Sequence, residues 1–447
     1  MSAVPSKNAT GTLDTYRAAF EASFATSNQL GAMRRAAFAR FFAQGWPTQR
    51  EEAWKYTNLR RLQSRIFKPA EPAPIASEES RWIATAGSRI VLLNGHWAPT
   101  LSNAQPQPPG VTILSLGQWM ANQPDEAAAF LEASEAGTTG SAFENLNTAF
   151  LQDGVVIEIG EGTVLDAPIY VIHQWSPAAS SQMSHTRLVL KAGRNSRAAL
   201  IEHYLGRGEN ENFTNACVTL DLSSGADIRH YRLQQESTRS FHVGNVRLKL
   251  DRNSRYSSHD IALGGSLARL NITALLNGPG ALVNLMGLFM PHGTQHIDTQ
   301  TRIEHIAAHT ESNEEYRGIA DGKGRGIFNG KIVVHPNAQK IDSRQLSRNL
   351  LLSPTAEIDT RPELEIYAND VKCSHGATTG QLDAASLFYL RSRGIAESDA
   401  RALLVRAFAE SILGSIAVTP LRQSLEQSLQ ERFATTMDSG LKAGGAN

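Results

Sequence analysis

Apolar residues recur along this chain with two different periods. Between residues 12 and 62 the spacing is helical: Leu13, Tyr16, Phe20 and Phe24, then Met33, Ala37, Phe41 and Phe42, fall three or four positions apart. Gly45, Trp46 and Pro47 interrupt the pattern, residues 49–62 predict a further short helix carrying Trp54 and Tyr56, and the proline-rich run 68–74 reads as a linker. From about residue 81 to 380 the dominant signal is instead short alternating or β-branched runs, as at 89–94, 154–160, 186–191, 216–222 and 331–335, broken by Gly, Asn, Asp and Pro. One interruption at 118–151, rich in Ala and Glu, predicts helix.

After Gly380 the helical period returns. Asp383 is placed to cap a helix carrying Leu387 and Leu390 that Gly394 closes, and Ser398 to cap a second one with Ala400, Leu403, Leu404, Ala407, Phe408 and Ile412 as its stripe. Thr419 and Pro420 open a third, with Leu421, Leu425, Leu429 and Phe433 four residues apart, and the tail 440–447 is expected to be disordered. The division that follows is an N-terminal helical domain at 1–75, a β core at 76–382 and a C-terminal helical domain at 383–447.

Sandwich, barrel and parallel β-helix are all compatible with so many short strands. The region is too long for one sandwich of about 100 residues, and a solenoid accommodates its length most easily. Asn253, Asn271, Asn284, Asn313, Asn329, Asn337 and Asn349 fall among the later strands, as stacked turns would place them, although no strict hexapeptide or nonapeptide repeat is visible.

Composition narrows the function classes. The 447 residues carry 43 Lys and Arg against 43 Asp and Glu, so no net field draws the chain to nucleic acid or an anionic membrane. Two cysteines make no disulfide framework and no CxxC pattern, which fits a reducing cytoplasm. The start of the chain lacks the apolar run of a signal peptide, and no stretch approaches ~18 uninterrupted apolar residues, so neither export nor a membrane span is expected.

The candidate chemistry concentrates where strand gives way to helix. Cys373 stands two residues before His375, and side chains at i and i+2 of a strand leave the same face about 6–7 Å apart, where thiolate and imidazole could converge on one soft metal. Two ligands are half a site, and a small cysteine packed in the core explains Cys373 equally. Cys217 alternates with Asn215, Thr219 and Asp221, the polar set of its strand, and is assigned no chemistry. His292, His296, His305 and His309 gather with Asp298 and Glu304 in one run that resembles a metal cluster but lacks a His-Glu-x-x-His motif, so structural or interface roles fit it better. Asp298 and Glu304 as paired general acid and base would make the chain a β-helix lyase or hydrolase acting on a polysaccharide, the competing function class. The glycine-rich stretch 318–326 matches neither the P-loop nor the dinucleotide pattern and reads as a turn between strands, and no nucleophile-elbow signature stands out.

Three separated blocks, 50–57 with Glu51, Trp54 and Tyr56, 316–334 with its glycines, and 369–380 continuing through Phe388 to Ile395, together resemble the SufB/SufD family of iron–sulfur cluster assembly proteins. The resemblance spans nearly the whole chain and implies a right-handed parallel β-helix flanked by N-terminal and C-terminal α-helical domains. It implies a non-catalytic scaffold in a cytoplasmic complex, paired through the β-helix with a SufB paralogue and docked through the helices at 384–433 to the ABC-type ATPase SufC. A homodimer is compatible with the isolated chain. By the same resemblance His375 corresponds to a histidine implicated in cluster formation and Cys373 to the cysteine near it. They would hold iron or a nascent iron–sulfur cluster transiently, shared with the partner, with no cofactor bound permanently by this chain. Ser374 and Gly376 stand where SufB-like chains carry glutamates, which places the chain on the SufD side of the family and leaves thiolate to be supplied by the partner.

Overall fold

The computed structural model describes residues 7–23, 29–73, 81–104, 107–135, 141–206 and 208–443. Two sheets of ten strands each form its body, and from Asp153 onward consecutive strands alternate between them, so that each pair of strands makes one coil of a parallel solenoid. The parallel β-helix with flanking helices expected from the resemblance is therefore the fold. In the first sheet Leu267 lies against His296, His296 against Arg325 and Arg325 against Glu357, intervals of 29, 29 and 32 residues. In the second, Leu282 lies against Glu311 and Glu311 against Asp342, intervals of 29 and 31. A drifting interval with no fixed loop length is why no strict repeat can be read in the sequence.

Alternation along each strand sends one set of side chains into the lumen between the sheets and the other outward. The lumen holds an apolar cluster running from Ile90 and Ile157 through Leu220, Leu248 and Val283 to Ile303 and Phe328, and midway along it a buried polar network of Glu202, His230, Arg232, Asp260 and Tyr316. The expected asparagine turn stack is only partly present, because Asn271, Asn284, Asn313, Asn329 and Asn349 lie inside strands. What stacks at successive turns is a column of left-handed residues: Asn195 (φ 56°), Gly225 (74°), Asn253 (54°), Gly280 (77°), His309 (58°) and Lys340 (58°). Each donates its N–H to a carbonyl of the next turn, as Asn195 does to Ser224 and Gly225 to Arg252. Glycine is required at 225 and 280, where a Cβ would sit 2.2 and 2.1 Å from the Asn195 and Asn253 amide oxygens.

Helices cover the outer faces. Helices α1 (Lys7–Ser23) and α2 (Gln29–Gln44) bury Tyr16, Phe20, Phe38 and Phe41 with Phe150 against Met183, Phe213 and Phe241 of the first sheet. Residues 49–62, expected as helix, form only a 3-10 turn at Glu52–Trp54 and the single-turn helix α3 (Arg60–Gln63). The Asn58 side chain accepts from the Arg60 N–H, and Trp54, Thr57 and Leu59 are pinned into the sheet surface, which no continuous helix could arrange. The supposed linker begins as a strand, Lys68–Pro69, paired with Gln182 and Met183, and residues 74–80 lie outside the described part. The helical interruption comprises α4 (Leu116–Asn122), α5 (Pro124–Glu135) and α6 (Ala142–Ala149), with Ser115–Gln118 and Ser141–Glu144 capping boxes.

Helix α7 (Ala384–Ser392) starts on the Asp383 cap and ends before Gly394 at φ 84°, as its sequence predicts. Helix α8 (Glu397–Leu413) begins one residue ahead of the expected Ser398 cap, with Ala396 at the N-cap and no side chain capping it. Helix α9 (Thr419–Ala443) buries Leu421, Leu425 and Leu429 against the second sheet; the Phe433 side chain and residues 444–447 are outside the described part. Residues 440–443 belong to this helix rather than to a disordered tail.

The two ends of the solenoid differ. At one, Val111–Ser115 runs antiparallel along Asp153–Ile159 and His96–Trp97 folds back on Arg89–Leu93, closing both sheets. At the other, Glu357–Ile366 and Val371–Gly380 are each the last strand of a sheet, with no described strand beyond them.

Candidate functional site

Cys373 and His375 lie on that last strand, Val371–Gly380, and both point along the lumen side, in register with Ser343 and Gln345 of the strand before. Cys373 is half-buried and packs beside Ile341, Val371 and Ala368, while His375 is exposed. Burial pushes the Cys373 thiol above the ordinary range, and the Asp342 charge adds to the rise. The thiol is therefore protonated at neutral pH and would release its proton on binding a metal.

Beneath the pair the lumen is polar. In the column that ends on Cys373, Ile228, Tyr256 and Val283 give way to Ser312 and Ser343; in the column that ends on His375, His230, Ser258 and Leu285 precede Glu314 and Gln345. Ser312 and Ser343 share a hydrogen bond of 2.6 Å, and His305 reaches Ser312 at 3.0 Å and Thr310 at 2.7 Å. The Gln345 amide donates to Glu314 Oε2 at 2.5 Å, deep in the lumen. Burial drives the Glu314 carboxyl up to about 7, although Thr301 and Gln345 pull it down. Sequence reading missed Glu314, Gln345, Ser312 and Ser343. The signal was a run of polar residues at inward positions, invisible until the register is known.

The glycines of 316–334 make this end possible. A Cβ at Gly318 or Gly326 would meet the Phe289 ring at 2.5 or 2.6 Å, and one at Gly330 would sit 1.9 Å from the Gln345 amide nitrogen. Of the stretch 318–326 expected as a turn, 321–324 is one, with Gly322 at φ 64°, while 318–320 and 325–326 belong to the strands on either side, and no phosphate cradle is formed.

The histidine run does not converge. His305 is inside the lumen, His309 sits in a turn instead of sharing its face, His292 pairs with Asp321 at 3.5 Å, and His296 faces outward, 2.9 Å from Thr57. Among the described residues no group of three or more His, Cys, Asp and Glu is arranged to hold a metal ion. Asp298 is fully buried, accepts from Thr57 and Arg269, and the Arg269 guanidinium lies 3.8 Å over the Trp54 ring. This clamp fastens the 50–57 block to the sheet. Glu304 is engaged by Arg302 at 2.7 Å and His335 at 2.9 Å. Six positions apart on one strand face, Asp298 and Glu304 stand roughly 20 Å from each other, well beyond the ~5–9.5 Å of a glycosidase pair, so they do not form the paired acid and base of the competing reading. Cys217 is buried on the outward face of its strand, beside α6, and neither cysteine is in a disulfide.

A second exposed feature adjoins the last strand. Only residues 381–383 separate Gly380 from α7, whose Phe388 and Tyr389 are 74% and 57% exposed, and Leu403 of α8 is also exposed. No described helix is long and apolar enough to cross a membrane.

Residues 175–408 match the family described as "SUF system FeS cluster assembly, SufBD core domain", and residues 12–171 match "SufBD protein N-terminal region". An iron–sulfur cluster assembly SufBD family protein of Synechocystis is 34% identical over 397 residues, covering 86% of this chain and 87% of its own. The iron–sulfur cluster assembly protein SufD of Escherichia coli is 31% identical over 392 residues, 87% of this chain and 90% of its own. The chloroplastic protein ABCI7 of Arabidopsis thaliana is 26% identical over 377 residues, 82% and 78% of the two chains.

Proposed function

The chain belongs to the SufB/SufD family of iron–sulfur cluster assembly proteins, and from that membership we propose that it is a SufD-like scaffold subunit, not itself an enzyme, which completes its site by pairing its last coil with a SufB-like paralogue. The observation that carries this reading is the uncapped end. Two ten-residue strands, Glu357–Ile366 and Val371–Gly380, leave their outer edges without a neighbouring strand among the described residues, and His375 stands on one of them. Long exposed edges are templates for strand addition, and proteins that stay monomeric blunt them. The same edges would accept a second copy of this chain when no paralogue is present.

In the paired state His375 contributes a neutral imidazole and Cys373, less directly, a thiol that ionises on binding. Iron or the nascent cluster is the cargo, and its remaining ligands come from the partner. The surface of α7 and α8 around Phe388, Tyr389 and Leu403 suits an ATPase of the SufC type, and the three-residue tether from α7 to the last strand would transmit nucleotide-driven motion to the site. Two cysteines outside any disulfide fit a reducing compartment such as the cytoplasm.

Anaerobic reconstitution of the three-protein complex tests the site. His375→Ala is expected to leave the complex assembled while lowering cluster yield, with Cys373→Ser giving a smaller loss. An unchanged yield with His375→Ala would remove His375 from the site, and a collapsed complex would make it structural.

A further inference from the structure

The lumen below His375 holds an amide with an unused oxygen. Gln345 is buried and in register directly beneath His375 on the same inward column, its nitrogen donates to Glu314, and its Oε1 has no hydrogen-bond partner among the described residues. A buried carbonyl oxygen left unpaired is destabilising, and this one is adjacent to an imidazole that has one ring nitrogen to spare when the other is engaged. The amide has a fixed sense. Glu314 accepts from its nitrogen, which turns the oxygen away from Glu314, and the missing side chain at Gly330 is what gives the nitrogen its place, since a Cβ there would lie 1.9 Å from it.

We propose that Gln345, oriented by Glu314, is the positioning residue for His375: its carbonyl accepts the second ring N–H when the first nitrogen binds the cargo metal. Metal-bound histidines are generally held this way, by a carbonyl or carboxylate on the far nitrogen that fixes the tautomer and raises ligand basicity. The inference rests on the reading of His375 given above. It adds two buried residues that the sequence motif around Cys373 does not contain, and it assigns Glu314 a role as an acceptor rather than as a proton donor. Glu314→Gln keeps a carbonyl acceptor for the Gln345 nitrogen and should preserve the arrangement, whereas Glu314→Ala removes it.

The complex assembled with the paralogue is titrated with Co(II) as the probe, following affinity and the ligand-field band, with thermal melting as the check on folding. Gln345→Ala and Glu314→Ala should each weaken Co(II) roughly tenfold and shift the band, Glu314→Gln should restore both, and Gly330→Ala, whose Cβ would displace the amide and also press on Phe328 at 3.1 Å, should reproduce Gln345→Ala. Wild-type affinity and band in Gly330→Ala and Gln345→Ala, with His375→Ala weakened, would overturn the inference and leave the His375 site standing. Unchanged binding in His375→Ala would overturn the site itself.

Discussion

The two ends of the solenoid are built from the same coil and finished in opposite ways. The first is closed by antiparallel strands, and the early coils beside it are sheathed by helices whose aromatic rings interlock, as where Tyr16 meets Phe150 at 5.9 Å edge-on and Phe20 stacks on Phe38 at 4.4 Å. The last is left as two bare edges over a polar lumen. A closed end contributes to the stability of one chain, whereas an open end with free strand edges is what pairing with a second chain would use. The contrast locates function by where the chain declines to complete its own hydrogen bonding.

The comparison breaks first at the sheathed coils. Phe150→Ala should destabilise the isolated chain by about 3–5 kcal/mol, measured by denaturant unfolding. Asp298→Ala, which strands the buried Arg269 guanidinium, should cost a similar roughly 3–5 kcal/mol through the loss of a clamp, whereas a catalytic carboxylate would be removed with little change in stability.

Acid titration sharpens the view of the buried interior. Burial holds His173, His203, His296 and His305 down at about 4 and His185 at about 3, with nearby charges adjusting the first three. Their folded values lie below the unfolded one, so the stability they contribute is present above pH about 6.5 and is lost as pH falls toward 4. Glu314 has the opposite sign. With its folded value raised to about 7 from 4.5, it contributes stability below pH about 4.5 that is lost as pH rises to about 7. The difference in unfolding free energy between wild type and Glu314→Gln should therefore fall with pH between about 4.5 and 7 and be flat above. A flat difference across that window would mean that Glu314 is not buried in the lumen.

The smallest effects on stability belong to the open end. Ser374→Lys and Phe388→Ser, both at exposed positions, should change the unfolding free energy by less than ~0.5 kcal/mol. In pull-down assays the first should weaken association with the paralogue and the second association with the ATPase. A stability loss comparable to that of Phe150→Ala would show that the last coil is completed within the chain.

Much of this was legible in the residues. The change of period at about residue 81 and again at 380, the capping role of Asp383 and the turn at 321–324 follow from local pattern, because spacing and turn chemistry act over a few residues. Residues 49–62 did not, since Trp54 and Thr57 answer to Arg269 and Asp298 more than two hundred positions away. The solenoid itself was one of three possibilities until the family resemblance chose among them, as its turn lengths drift. Cys373 and His375 could be singled out by their spacing, but Gln345 and Glu314 could not, because their relation to His375 exists only through the register of three strands about 30 residues apart.

Hydrogen exchange at the two ends tests the central claim most directly. On mixing the chain with its paralogous partner, backbone amides in Glu357–Ile366 and Val371–Gly380 should gain protection while those in Val111–Ser115 stay as they were. Unchanged exchange in the last two strands, or new protection confined to the closed end, would contradict it.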